Sequence, residues 1–131
     1  MVDSRILLDT NVLFWSGTDP TKLTSTASRV LVENRELLLV SPISTNELAM
    51  KANRGKLLFA APVLDWIVAL MAELGASSLP LTHIHAGLIE QLPWHHRDPF
   101  DRLLIAQALA EGVPILGSDV MFDAYGVTRI W

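Results

Sequence analysis

His96-Arg97-Asp98-Pro99-Phe100-Asp101-Arg102-Leu103-Leu104-Ile105-Ala106-Gln107-Ala108 opens a helix and crowds charge into that helix's first turn. Asp98 reads as the N-cap, and Pro99 as the first helical residue, where a missing N–H costs nothing. Asp101 falls in the first turn, near the positive end of the helix dipole. Leu103, Leu104, Ile105, Ala106, Ala108, Leu109 and Ala110 then make the helix apolar on almost every side, the mark of a buried one. Gly112 stops it, which predicts a helix over 99–111. The chain thus drives a helix into its core and leaves two carboxylates at the mouth. Capping alone accounts for Asp98. Asp101 needs company to make a site.

Working outward, Val113-Pro114-Ile115-Leu116 reads as a buried strand after this helix, and Val127-Thr128-Arg129-Ile130 as a short last strand. Upstream, Thr82 caps a helix over 83–91, and Leu79-Pro80-Leu81 is a poor or edge strand because of its proline. Pro62 opens a helix that Gly75 ends. Ser44-Thr45-Asn46-Glu47 matches a capping box and predicts a helix from about 45 to 53. Leu37-Leu38-Leu39-Val40 and Arg5-Ile6-Leu7-Leu8 are buried strands, with a helix over 24–33 between them and a short one at Val12-Leu13-Phe14-Trp15. Apolar strands alternating with helices predict a three-layer α/β/α domain around a mainly parallel sheet, one domain over 1–131.

Half of the 131 residues are hydrophobic, enough for a real core and an apolar partner-binding face. There is no cysteine, which excludes disulfides and thiolate metal sites. The charged start and the brevity of Ile6-Leu7-Leu8 predict neither a signal peptide nor a membrane span, and hence a cytoplasmic protein. The formal net charge is −4. A protein that grips nucleic acid by a broad basic surface should be basic, so any such contact must be local.

Ligands of open parallel sheets sit beyond the carboxyl ends of the strands. Asp9 directly follows the first strand. Glu47 lies just after the second, and Asp119 follows the strand ending at Leu116. Asp101 joins them only if the loop before its helix brings that helix start back to the same edge. Each acid alone has an ordinary reading: a cap, a capping-box glutamate or a turn residue. Four carboxylates in one cleft could not all ionise without a cation. An all-oxygen donor set suits Mg²⁺ or Mn²⁺, which would activate water against a phosphodiester.

Ile6-Leu7-Leu8-Asp9-Thr10-Asn11-Val12-Leu13-Phe14-Trp15, Glu47-Leu48-Ala49-Met50-Lys51 with Gly55-Lys56-Leu57, the run from His96 to Ala108, and Asp119 with Ala124-Tyr125-Gly126-Val127 resemble the PIN-domain ribonucleases of the VapC toxin family. The likeness covers essentially the whole chain in order. It implies a Mg²⁺- or Mn²⁺-dependent endoribonuclease, the toxin of a type II toxin–antitoxin pair. It implies an RNA substrate, a small cognate antitoxin as partner and a homodimer. The family's acids map onto Asp9, Glu47, Asp101 and Asp119. Asp9, Asp101 and Asp119 are expected to hold the metal, and Glu47 to ligate it or orient water. The family has Thr or Ser two positions before the last acid; here Gly117 stands there and the hydroxyl comes one later, on Ser118.

Asn11, Lys51, Arg97 and Arg102 are the expected substrate contacts, with Arg54 and Lys56 at the end of the Lys51 helix. Trp15 and Trp66 are expected in the core, and Trp94 is expected to pack rather than stack on a base. His83, His85, His95 and His96 suggest zinc, but a third partner at metal-site spacing is missing; His95 and His96 are expected in the loop beside the site. Two other functions compete. A haloacid-dehalogenase-type phosphatase would want an aspartate where Asn11 stands. A degenerate PIN domain that only binds nucleic acid or protein would be expected to have lost acids that are all present.

Overall fold

The structure, a computed structural model, describes residues 4–131, so the start Met1-Val2-Asp3 lies outside the described residues. Five strands form one sheet: β1 (Ile6–Leu8), β2 (Leu38–Val40), β3 (Ser77–Ser78), β4 (Ile115–Leu116) and β5 (Arg129–Ile130). Their order is β3-β2-β1-β4-β5, and every neighbouring pair is parallel. Among the described residues the α-helices are α1 (Thr10–Thr18), α2 (Ser25–Glu33), α3 (Pro42–Asn53), α4 (Val63–Leu74), α5 (His83–Leu88) and α6 (Pro99–Glu111).

Strand periodicity sorts the core into two faces. Leu7, Leu39 and Ile115 lie side by side in register and pack with Leu104, Ile105 and Ala108 of α6. Ile6, Leu8, Leu38, Val40 and Leu116 point the other way, against Val12 and Leu13 of α1, Ala27 and Leu31 of α2, and Ile67 and Leu70 of α4. Both faces are therefore covered, which is why the strands read as unbroken apolar runs. Trp66 packs edge-on to Phe59 at 4.9 Å, and Trp15 lies 6.0 Å from Trp131.

The strand order runs outward from β1 in both directions. That opens a crevice between the carboxyl ends of β1 and β4. The start of α6 reaches this edge by a detour. The segment after β3 passes the lower half of α6, where Gln107 donates to the carbonyls of Leu79 and Pro80. His85 at the start of α5 meets Glu111 at the foot of α6. The chain then climbs along α5 and turns over at Leu92 and Pro93, whose carbonyls accept from Arg102 near the top of α6. Two antiparallel helices thus return Asp101 to the sheet edge where Asp9 sits.

Four expectations need correction. The helix placed at 45–53 begins at Pro42, because Ser41 caps it through the Ile43 amide and Pro42 takes the first helical position. Ser44 is no cap: it is buried within the first turn. The strand placed at 79–81 is β3 at Ser77–Ser78, where the backbone pairs with Leu39 and Val40 without any apolar signal of its own. The helix placed at 12–15 runs from Thr10 to Thr18. The helix expected over 83–91 ends as α5 at Leu88, with a 3-10 turn over Ile89–Gln91.

Candidate active site

Asp9 leaves β1 and caps α1, accepting from the Thr10 amide at 2.8 Å, with its side chain buried. Thr10 Oγ1 and Ser44 Oγ lie 2.8 Å apart in the interior and tie the start of α1 to α3. Glu47 stands about one turn beyond Ser44 on α3, likewise buried. Its Oε2 accepts from Lys51 Nζ at 2.8 Å. Its Oε1 is buried with no hydrogen-bond partner among the described residues. Asp101 sits in the first turn of α6, above the Asp98 cap, which accepts from the Phe100 and Asp101 amides. Asp119 caps the 3-10 turn Val120–Tyr125 through the Met121 amide. The structure thus brings all four acids to one edge.

Their electrostatics show the crowding. Burial, then the charge of Asp101, pushes the Asp9 carboxyl up to about 8, against the Thr10 amide that favours its ionised form. Glu47 and Asp119 add to the same repulsion. Burial, then the charge of Asp98, pushes Asp101 up to about 7, with His96 opposing. Each carboxylate raises the cost of ionising its neighbour, so the site holds more negative charge than it can carry bare.

His96 is the functional-site residue that sequence reasoning left vague. Its Nε2 lies 2.9 Å from Asp101 Oδ2 and 2.9 Å from Asp119 Oδ2, linking the start of α6 to the end of β4. Its Nδ1 accepts from the Asp98 amide at 3.2 Å. Tyr125 Oη receives the His95 and His96 amides at 3.0 and 2.7 Å and so fixes the loop that presents the ring. The signal in the sequence was its place two residues before the helix cap.

Gly117 explains the departure from the family pattern at that position. A Cβ there would stand 3.0 Å from Asp9 Cβ and 3.3 Å from Asp9 Oδ2. Glycine leaves that space to the Asp9 carboxylate, and Ser118 is only partly buried beside it. Asp123 pairs with Arg129 across the 3-10 turn, outside the acidic group.

The expected substrate contacts separate. Asn11 is exposed on the first turn of α1. Lys51 lines a cleft with Glu47, Arg54, Lys56, Asp98 and Phe100, and its hydrogen bond to Glu47 holds its pKa above the ordinary value. Arg97 is exposed along a groove with Trp94 and Pro99. Arg102 is not placed to meet substrate. Its guanidinium is buried and donates to Pro93 O at 2.7 Å, Tyr125 Oη at 3.2 Å and Leu92 O at 3.3 Å. Trp94 does not pack into the core as expected. It is 80 % exposed and lies 4.1 Å above the Arg102 guanidinium.

Arg102 therefore holds the loop that carries His96. Arg102→Met is expected to destabilise the fold by roughly 2–4 kcal/mol, because it strands the carbonyls of Leu92 and Pro93 and removes one bond to the Tyr125 hydroxyl. Urea denaturation measures this; an unchanged midpoint would show that the guanidinium holds nothing.

The carboxylates of Asp9, Glu47, Asp101 and Asp119 supply hard oxygen donors, and the His96 imidazole lies among them. One atom each of His96, Asp101 and Asp119 lie within 4.8 Å of one another. With Asp9 beside them and the bare Glu47 Oε1 nearby, the residues fit a small divalent cation.

A family model described as the PIN domain matches residues 6–127. The chain is 32% identical over 117 residues to Ribonuclease VapC22 of Mycobacterium tuberculosis (strain ATCC 25618 / H37Rv), covering 88% of each. Among solved structures, the DNA-bound VapBC complex of Salmonella typhimurium matches with a TM-score of 0.71 at 15% identity, over 98% of this chain and 97% of that one. VapC20 of Mycobacterium tuberculosis, described as a sarcin-ricin loop cleaving toxin, matches with a TM-score of 0.70 at 16% identity, over 94% and 96%. These two show a shared fold. With the family match over nearly the whole chain and the VapC22 likeness, they make this chain a member of the PIN-domain family, with VapC proteins as its relatives.

Proposed function

We propose that the protein is a metal-dependent endoribonuclease and the toxin of a type II toxin–antitoxin pair. The observation that carries this reading is the gathering of Asp9, Glu47, Asp101 and Asp119 at the β1–β4 crevice, with two of them driven far above the usual carboxylate range. That is a site short of positive charge. The relatives named as ribonuclease and toxin support the substrate class.

Asp9, Asp101 and Asp119 would hold a Mg²⁺ or Mn²⁺ ion. When bound, such an ion lowers the pKa of a water and offsets the charge that builds on the phosphate. Glu47 is the proton acceptor of this reading. Lys51 fixes its Oε2, which leaves Oε1 bare and held in place. Lys51, Arg54 and Lys56 line the neighbouring cleft and supply the local positive charge that an acidic protein needs to meet RNA phosphates.

The partner of the reading is a small antitoxin. The S. typhimurium relative is a VapBC complex, and this chain carries an apolar groove between α3 and α4 where Leu64 and Val68 are 65 % and 57 % exposed. A partner helix would cover them. A homodimer belongs to the same proposal, as does a cytoplasmic site of action. Among the described residues no helix is long and apolar enough to cross a membrane.

Growth tests the function. Expressing the chain without its antitoxin should arrest cells and release cut RNA, while Glu47→Gln should be tolerated. In vitro, Glu47→Gln should lower kcat by about 10²–10⁴-fold, the usual worth of a positioned base. Arrest by Glu47→Gln as strong as by the natural chain would remove Glu47 from the chemistry. Unimpeded growth with the natural chain abundant and soluble would sink the toxin reading.

A further inference from the structure

We propose that His96 competes for the metal site: its Nε2–H bonds Asp119 with Asp101 close beside it, and a divalent ion binds by displacing the ring. This rests on the metal-dependent reading above.

The hydrogen-bond pattern distinguishes a competitor from a ligand. A neutral imidazole has one N–H and one lone pair. Nδ1 accepts from the Asp98 amide, so its lone pair is used there and the hydrogen sits on Nε2. Nε2 in turn is 2.9 Å from both Oδ2 atoms. It therefore points its donor at Asp119, with Asp101 Oδ2 in close contact, and offers no lone pair to a cation. Ligation through Nε2 would require the hydrogen to move to Nδ1, where the Asp98 amide already points. An ion bound through these two Oδ2 atoms competes for them with the His96 ring.

The surroundings suit a ring that holds its place until replaced. The main chain of His96 is anchored by the Tyr125 hydroxyl, and its ring lies beside Phe122 with centroids 6.4 Å apart. Its neighbours His95 and Arg97 are exposed, so a displaced ring has solvent beside it to enter. With Nε2 2.9 Å from both Oδ2 atoms, the imidazole stands between two groups that otherwise repel.

The test is Mn²⁺ binding by isothermal titration to the full chain, with His96→Ala and His96→Gln beside the natural protein. His96→Ala should bind Mn²⁺ about tenfold more tightly and, without metal, melt at a lower temperature. His96→Gln keeps an N–H donor and should fall between. Weaker Mn²⁺ binding by His96→Ala would make His96 a ligand and overturn the proposal; unchanged binding would make it a bystander and overturn it as well. NMR of the natural protein gives a readout free of any folding defect. Mg²⁺ should shift the His96 ring resonances towards those of a solvent-facing imidazole, and an undisturbed Nε2–H signal at saturation would contradict displacement. Absence of Mn²⁺ binding in all three proteins would strike down the metal-dependent reading itself, whereas binding insensitive to His96 strikes down this proposal alone.

Discussion

Asp9→Asn is expected to abolish RNA cleavage and, at the same time, to raise the melting temperature of the metal-free protein at pH 8. Both effects come from one charge. Asparagine is isosteric and keeps an oxygen for the Thr10 amide, so the cap on α1 survives. What disappears is a buried carboxylate that faces Asp101, Glu47 and Asp119. Losing a metal-holding group should cost at least about 10³-fold in kcat/KM, some 4 kcal/mol of transition-state stabilisation. Losing the repulsion and the burial cost should stabilise the fold at pH 8 by roughly 2 kcal/mol, read as a rise of about 5 °C or more. Cleavage assays and thermal melts on the same preparation check the pair. A less stable, inactive variant would mean that Asp9 serves the fold first.

The second large effect is a pH dependence that metal reverses. The Asp9 and Asp101 carboxyls stand at about 8 and about 7 in the fold, against about 3.9 in an unfolded chain. Between those values the folded state binds more protons than the unfolded state. Stability therefore falls as pH rises from about 4 to about 8, by roughly 1 kcal/mol per unit where one such group titrates. Glu111 acts with the opposite sign, because His85 and then Arg5 hold its carboxyl below its ordinary value; its effect is confined to acid below that value. Metal-free protein should thus melt several degrees lower at pH 8 than at pH 6. Millimolar Mn²⁺ should remove or invert that slope, since the ion binds ionised carboxylates and its affinity grows as protons leave. Melts at both pH values, with EDTA and with Mn²⁺, decide it. Parallel slopes in the two conditions would show that the acids do not share an ion.

Much of this arrangement was legible in the chain because local chemistry dictated it. Asp98, Pro99 and Gly112 bound α6, and the structure places it at Pro99–Glu111 as their preferences require. Gly75 ends α4 in the left-handed conformation that favours glycine, with φ 71°. The apolar runs at Ile6–Leu8 and Leu38–Val40 could only be strands covered on both faces. Asp9 directly follows β1, and Asp119 lies three residues beyond the end of β4, so their edge was fixed once the sheet was parallel.

What was hidden depends on contacts between distant residues. Ser41 and Ser44 both resemble caps, and only Pro42 at the first helical position favours the earlier one. Ser77 and Ser78 carry no strand signal; they pair because β2 offers an open edge. The return of Asp101 to the site needs α5 to climb beside α6, a fact of packing rather than of spacing. Arg102 read as a phosphate contact because arginine beside an acid often is one, yet the carbonyls of Leu92 and Pro93 and the face of Trp94 bury it. The same exchange leaves Trp94 in solvent. His96 became informative only when its ring was seen between two carboxylates.

The most direct measurement is cleavage of total cellular RNA by the natural chain and Asp101→Asn side by side, each with Mg²⁺, with Mn²⁺ and with EDTA. The predicted result is cutting at defined ends with metal, none in EDTA, and a loss of at least about 10³-fold in the variant. Full cutting in EDTA, or equal cutting by Asp101→Asn, would contradict a nuclease built on these four carboxylates and a divalent ion.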